Sequence, residues 1–198
     1  TGFGGIGTYT WQQARALVRT GHDVRVVAGS IEPGVHHAEI DGVKVTRVLE
    51  PGPFQGAIDG LAASGLSWAP NRLRTAAGAF HALRGLLEDE SYDVVEYPEC
   101  GGDGMIVATM LPVRTCVRFH SPAALIMRSY GASEADLEAT TFLEKIGMDR
   151  ADVRTSPSAF LASEVVQHLN VASPVHVVPN GIDLDAFEEL PAGAAAAE

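Results

Sequence analysis

Apolar residues recur at helical spacing in four stretches of the chain and bunch into short runs between them. Ile6, Trp11, Ala14, Leu17 and Val18 define a first helix starting at the glycines, with Gly21 placed as its left-handed stop. Leu73, Ala76, Ala77, Phe80, Leu83 and Leu87 form the stripe of an amphipathic helix of about five turns over residues 71–90. Ser133 followed by Asp136 reads as a capping box for a helix through Arg150, carrying Leu137, Phe142, Leu143 and Ile146 inward. Ser156-Pro157 opens a last helix with proline in its first turn, running through Phe160, Val165 and Leu169.

The runs between them read as strands. Val24, Val26, Val27 and Ala28 suit a strand covered on both faces. Val43 to Val48 alternates apolar and polar residues, which predicts a half-exposed strand near a sheet edge. Residues 50–71, with Pro51, Gly52, Pro53, Gly56, Gly60 and Gly65 and with Phe54 and Trp68 among them, predict a long loop. Val94-Val95, a helix over 102–111, and strands at Val113–Phe119, Asp152–Thr155 and Val175–Val178 complete the rhythm. Each parallel pair of strands needs a helical crossover, so the pattern predicts an α/β fold: a doubly wound, mainly parallel sheet with helices on both faces.

Composition narrows the function. The 198 residues suit one large domain, assigned to 1–187, with 188–198 as a linker or the start of a further domain. A formal net charge of −11 repels a nucleic-acid backbone, which removes nucleic acid as a partner. Cys100 and Cys116 have no metal-ligand spacing, so no structural metal is expected and a reducing cytoplasm fits better than a disulfide framework. No apolar run approaches the roughly 20 residues that span a bilayer. The chain also reads as cut at both ends, opening inside a glycine motif and closing on an alanine tract.

Gly2-x-Gly4-x-x-Gly7 admits two readings, a dinucleotide fingerprint or another phosphate-binding helix start. In both, glycines let backbone N–H groups approach a phosphate at a positive helix N-terminus. The acidic residue expected after the second strand of a dinucleotide site is replaced by Ala28-Gly29-Ser30. Glu96 and Glu99 follow a strand, where open α/β sheets form their ligand crevice, and are candidates for sugar hydroxyls; local pairing is the alternative. His120 ends another strand at the same crevice edge, and Arg118 shares its face at period two, as candidates for a phosphate or hydroxyl. Pro179-Asn180-Gly181 is a turn by its own chemistry. The helix with Arg72, Arg74 and Arg84 reads as a sheet-packing helix, with membrane-surface contact as the weaker alternative.

Taken together, Gly4-Gly5-Ile6-Gly7-Thr8-Tyr9, Gly21-His22-Asp23-Val24, Tyr92-Asp93-Val94-Val95-Glu96, Arg118-Phe119-His120-Ser121-Pro122 and Pro179-Asn180-Gly181-Ile182-Asp183 resemble, in order and spacing, the N-terminal, acceptor-side domain of family-4 retaining glycosyltransferases of the GT-B fold. That resemblance covers residues 4 to about 187 and implies roles residue by residue. Gly4 and Gly5 would place amides by the donor diphosphate. His120 would contact the donor sugar as the active-site histidine. Glu96, Glu99 and Arg118 would contact the sugar or acceptor, and Asn180, Gly181 and Asp183 would cross to a second domain. It implies a nucleotide-sugar donor as substrate, an acceptor that is a small molecule, glycan or lipid, no metal and no further cofactor. It also implies a first strand before the glycine loop and a donor-gripping second domain beyond this sequence, so the 198 residues alone are expected to transfer no sugar. The competing readings are an NAD-dependent oxidoreductase and a non-catalytic glycan-binding domain.

Overall fold

In the computed structural model, which describes residues 4–171 and 174–183, strands and helices alternate through two sheets. The first holds β1 (Arg25–Gly29), β2 (Gly34–Ile40) and β3 (Val43–Leu49) in the order β1-β3-β2. The second holds β4 (Val95–Pro98), β5 (Thr115–Arg118), β6 (Val153–Ser156) and β7 (His176–Val177), in that order and all parallel. The α/β architecture with a mainly parallel sheet is the one the sequence rhythm predicts. The motif residue Gly2, and residues 184–198 with the domain boundary and alanine tract, lie outside the described residues.

Helix α1 (Gly5–Arg19) starts at the glycines and stops where Gly21 takes φ +92°. Two expectations for the first sheet need correction. β3 is its central strand, not an edge, because β1 pairs with it in parallel and β2 antiparallel. Alternation reports one exposed face and says nothing about lateral neighbours. The missed partner β2 joins β3 through Asp41-Gly42, both at positive φ, the Asp-Gly turn that suits a tight hairpin. Nor is β1 covered on both faces, since Ala28 and Gly29 are exposed.

The predicted loop over 50–71 is instead mostly helical, with α2 (Gln55–Ala63) followed by the start of α3 (Trp68–Asp89). A remote residue explains the early start of α3. The Asp136 carboxylate accepts the N–H groups of Ser67, Trp68 and Ala69 at 3.0–3.3 Å, taking up orphan donors of the first turn. Asp136 sits in α6 (Glu134–Arg150), where its own N–H donates to Ser133 Oγ at 3.1 Å. The Ser133 half of the expected capping box therefore forms, while the acidic side chain caps a different helix.

A 3-10 turn at Cys100–Gly102 and α4 (Met105–Met110) replace the single helix expected over 102–111, because Gly101 and Gly102 both take positive φ. After β5 come α5 (Ala123–Ile126) and a second 3-10 turn at Met127–Tyr130. α7 (Ala159–Leu169) begins after Pro157, not at it: Ser158 is the N-cap, accepting the Leu161 N–H at 3.2 Å, and Ser156 belongs to β6.

The stripe of α3 is buried as a sheet-packing helix requires, with Leu73, Ala76, Ala77, Phe80 and Leu83 joined by Ile58, Ile106 and Val107. A second core lies under the parallel sheet, with Tyr97, Val117, Phe119, Met148 and Val165 at its centre. Among the described residues the two sheets share no ladder. Arg25 of β1 reaches across to the end of α3, donating to Tyr92 Oη at 2.9 Å and Glu90 at 2.6 Å. Among the described residues no helix is long and apolar enough to cross a membrane.

Candidate functional site

The second turn of α1, the end of β4 and the end of β5 meet at one place, and Tyr9 joins them. Its hydroxyl donates to Glu96 Oε1 at 3.2 Å. Its ring packs edge to face on His120, centroids 5.0 Å apart, and the Arg118 guanidinium carbon lies 4.9 Å from the Tyr9 centroid. Gly5 and Tyr9 are four residues apart on one helix, so the glycine end lies a single turn from this cluster. Tyr9 was not singled out by sequence; the signal available was an aromatic one helical turn after the glycines.

Gly4 and Gly5 are exposed, and a Cβ on either would meet nothing within 4 Å. Their lack of a side chain therefore serves no internal packing and leaves room for something outside the protein to approach the backbone. The first intrahelical bond runs from Thr8 N–H to Gly4 O, so the N–H groups of residues 5–7 precede it. The first turn carries no acidic residue and no side-chain cap. An anion is the ligand that such a terminus accepts best.

His120 is half-buried, and its imidazole is held down to about 4, by desolvation first and by the neighbouring Arg118 charge second. It is a neutral imidazole near pH 7, able to donate from one ring nitrogen and accept at the other. Glu96 is exposed beside it, with Tyr9 as its hydrogen-bond partner.

Two residues expected at the ligand lie beneath the site instead. Glu99 is 1% exposed, and its carboxylate accepts the N–H of His120 at 2.9 Å and that of Ser121 at 2.6 Å. Arg118 is 2% exposed and donates to Val178 O and Asn180 Oδ1, each at 2.6 Å. The side chain at period two from His120 thus points into the sheet's floor, where it ties the chain leaving β7 to β5. Asn180 is that tie, Gly181 is exposed with open space around it, and Asp183 pairs with Arg19 of α1 at 3.4 Å. Asp183 is therefore held beside the C-terminal end of α1.

Two carboxyls, Glu99 and Glu144, are buried under the crevice, and a third, Asp103, is partly buried beside them. Burial pushes Glu99 up to about 7 against the pull of its amide donors, Glu144 up to about 8, and Asp103 up to about 6. Arg72 is the cation among them, paired with Asp103 and donating to Cys100 O at 3.2 Å. Among the described residues, no three His, Cys, Asp or Glu side chains could together hold a metal ion.

Residues 3–186 match Glycosyltransferase Family 4. Among solved structures, a sucrose-phosphate synthase from Thermosynechococcus elongatus is similar, with a TM-score of 0.54 and 17% identity. The alignment covers 91% of this chain and 88% of that one, a likeness of fold. No curated protein matches the chain.

Proposed function

This chain belongs to glycosyltransferase family 4, and from that premise we propose that it serves the transfer of a hexose from a nucleotide-sugar donor to an acceptor hydroxyl, with retention at the anomeric carbon. The observation that carries the reading is the uncapped, glycine-headed N-terminus of α1, set one turn from a neutral His120. The amides of residues 5–7 face the donor diphosphate in this proposal, with Gly4 and Gly5 leaving the space. Cleaving the glycosyl–phosphate bond builds negative charge on the diphosphate, which amide donors and the helix dipole stabilise. His120 meets a hydroxyl of the donor sugar. The bond from the anomeric carbon to the phosphate oxygen breaks, the bond to the acceptor oxygen forms on the same face, and the acceptor proton passes to the departing phosphate.

Glu96, exposed beside Tyr9, is the acceptor-side carboxylate of this scheme. Phe54 and Trp68, 49% and 42% exposed at the starts of α2 and α3, offer aromatic faces to the apolar side of a sugar or a lipid. Residues 180–183 lead towards a second domain that grips the donor, and the reaction uses no cofactor beyond that substrate. Two free cysteines suit a reducing, cytoplasmic setting.

The test is a hydrolysis screen of the full-length protein, metal-free, against UDP-, GDP- and ADP-sugars, with His120→Ala and NAD(H) binding as controls. Release of nucleoside diphosphate from one donor, lost in the variant, supports the reading. NAD(H) binding without use of any sugar donor overturns it in favour of the dinucleotide reading of the glycine motif.

A further inference from the structure

The position of His120 is set from underneath. Its ring makes no hydrogen bond of its own among the described residues and meets Tyr9 only edge on. Its backbone, in contrast, is gripped: both Glu99 oxygens accept the His120 N–H at 2.9 Å, and Oε1 also accepts the Ser121 N–H. No cation pairs with Glu99 among the described residues, so this carboxylate is kept out of water on the strength of amide donors. Glu144, reaching in from α6, does the same two residues on. It accepts the Ala123 N–H at 2.8 Å and, through its other oxygen, the Gly101 N–H at 2.7 Å. The segment 120–123 is thus hung from the oxygens of two buried carboxyl groups, and Glu144 also fastens the turn that follows Glu99 in sequence. That turn has little freedom: Gly101 sits at φ +64° with the Arg72 side chain where a Cβ would be.

We propose that Glu99 is the positioning residue for His120 in the transfer reaction, holding its backbone at the height that keeps the imidazole against Tyr9, with Glu144 as the brace. The proposal rests on the reading of His120 as the group that meets the donor sugar. A carboxylate suits the task because it accepts from two adjacent N–H groups at once, whereas an amide side chain would turn an NH2 towards one of them. The groups around Glu99 are Asp103 with its partner Arg72, Cys100, Glu144 from α6, and His120 at the exit of β5, with Arg118 meeting it through its backbone carbonyl.

The experiment is an NMR titration of the His120 ring in the full chain and in Glu99→Gln. In the unaltered chain the imidazole, held down by desolvation and by Arg118, is expected to titrate at about 4. In the variant we expect its midpoint to rise by about one unit or more towards the ordinary histidine value, with loss of the Tyr9–His120 ring contact, as the ring leaves its half-buried site. A folded variant with an unchanged midpoint and contact overturns the proposal. Should the variant fail to fold, the amide protons of His120 and Ser121 in the unaltered chain decide, followed from about pH 5 to about pH 9. A shared inflection with the Glu99 carboxyl carbon supports the proposal, and flat amide shifts overturn it. Failure of the parent reading looks different: His120→Ala would retain donor turnover while the ring titration still answered to Glu99.

Discussion

Tyr9 and His120 meet edge to face with centroids 5.0 Å apart, an aromatic contact between a helix's second turn and a strand's exit, 111 positions further on. The Tyr9 hydroxyl reaches Glu96 at 3.2 Å, so one side chain separates into two roles, a ring that seats the imidazole and a hydroxyl that meets a carboxylate. Substitution tells them apart. Tyr9→Phe keeps the ring and loses one exposed hydrogen bond, and donor turnover is expected to fall no more than about threefold. Tyr9→Ala removes the seat, and turnover is expected to fall at least about tenfold, equivalent to about 1.4 kcal/mol. Steady-state kinetics of the two variants in the full-length protein checks the order.

Gly4 is the N-cap of α1 with extended backbone and open space around it. Gly4→Asp should therefore fit without strain and stabilise the fold by a few tenths of a kcal/mol, since aspartate is a good N-cap. The same carboxylate would repel a diphosphate at that terminus. Thermal denaturation is expected to hold or improve while the KM for the donor rises at least about tenfold; a KM left unchanged would remove the phosphate from this loop.

Asp136 caps α3 across the fold. Burial pushes its carboxyl up, but the Ser67, Ala69 and Trp68 amides and the Ser67 hydroxyl outweigh that and hold it below the usual range. A depressed folded value means that its stabilisation is present above the unfolded value of about 3.9 and is lost as pH falls through the folded one. Asp136→Ala is expected to cost about 1–3 kcal/mol in urea unfolding at neutral pH, because it strands the three amides at the head of α3, that of buried Ala69 among them. The difference from the unaltered chain should shrink in acid.

Glu99 and Glu144 give the opposite slope. Their folded values, about 7 and about 8, lie above the unfolded value near 4.3, so the folded state holds more protons and stability falls as pH rises through that span. Asp103, raised to about 6, adds to the fall at the acid end beside its partner Arg72. His120 works against them there: its folded value near 4 lies below the unfolded 6.5, so it favours folding increasingly as pH rises between the two. The clean window is therefore about pH 6.5 to about pH 8, where the two glutamates act alone among these groups. Urea midpoints should fall across it, and Glu144→Gln should flatten the decline.

Much of the architecture is legible in the sequence itself. The helices ending at Arg19 and Asp89 were marked by apolar residues repeating every three to four positions, that of residues 134–150 by its Ser133 cap although Phe142, expected inward, is 65% exposed, and the parallel strands by short apolar runs between helices. The glycines at the head of α1 and the histidine at the exit of β5 were readable for a similar reason, since ligand crevices in such sheets open at strand ends and helix starts. The family, too, lay in the order of five local motifs, and residues 3–186 match it.

What tertiary structure alone decided is where side chains point once elements meet. Glu99 and Arg118 sit at crevice positions in the chain yet turn under it, because the amides of residues 120 and 121 and the carbonyl of Val178, brought there by folding, needed partners. α3 begins at Trp68 because a carboxylate 68 residues away caps it, and β3 is central because an Asp-Gly hairpin and a parallel crossover place a strand on each side. Periodicity along a chain reports which face of an element is buried. The identity of the neighbour that buries it, and the direction in which a polar group finds its partner, are properties of contacts between distant residues.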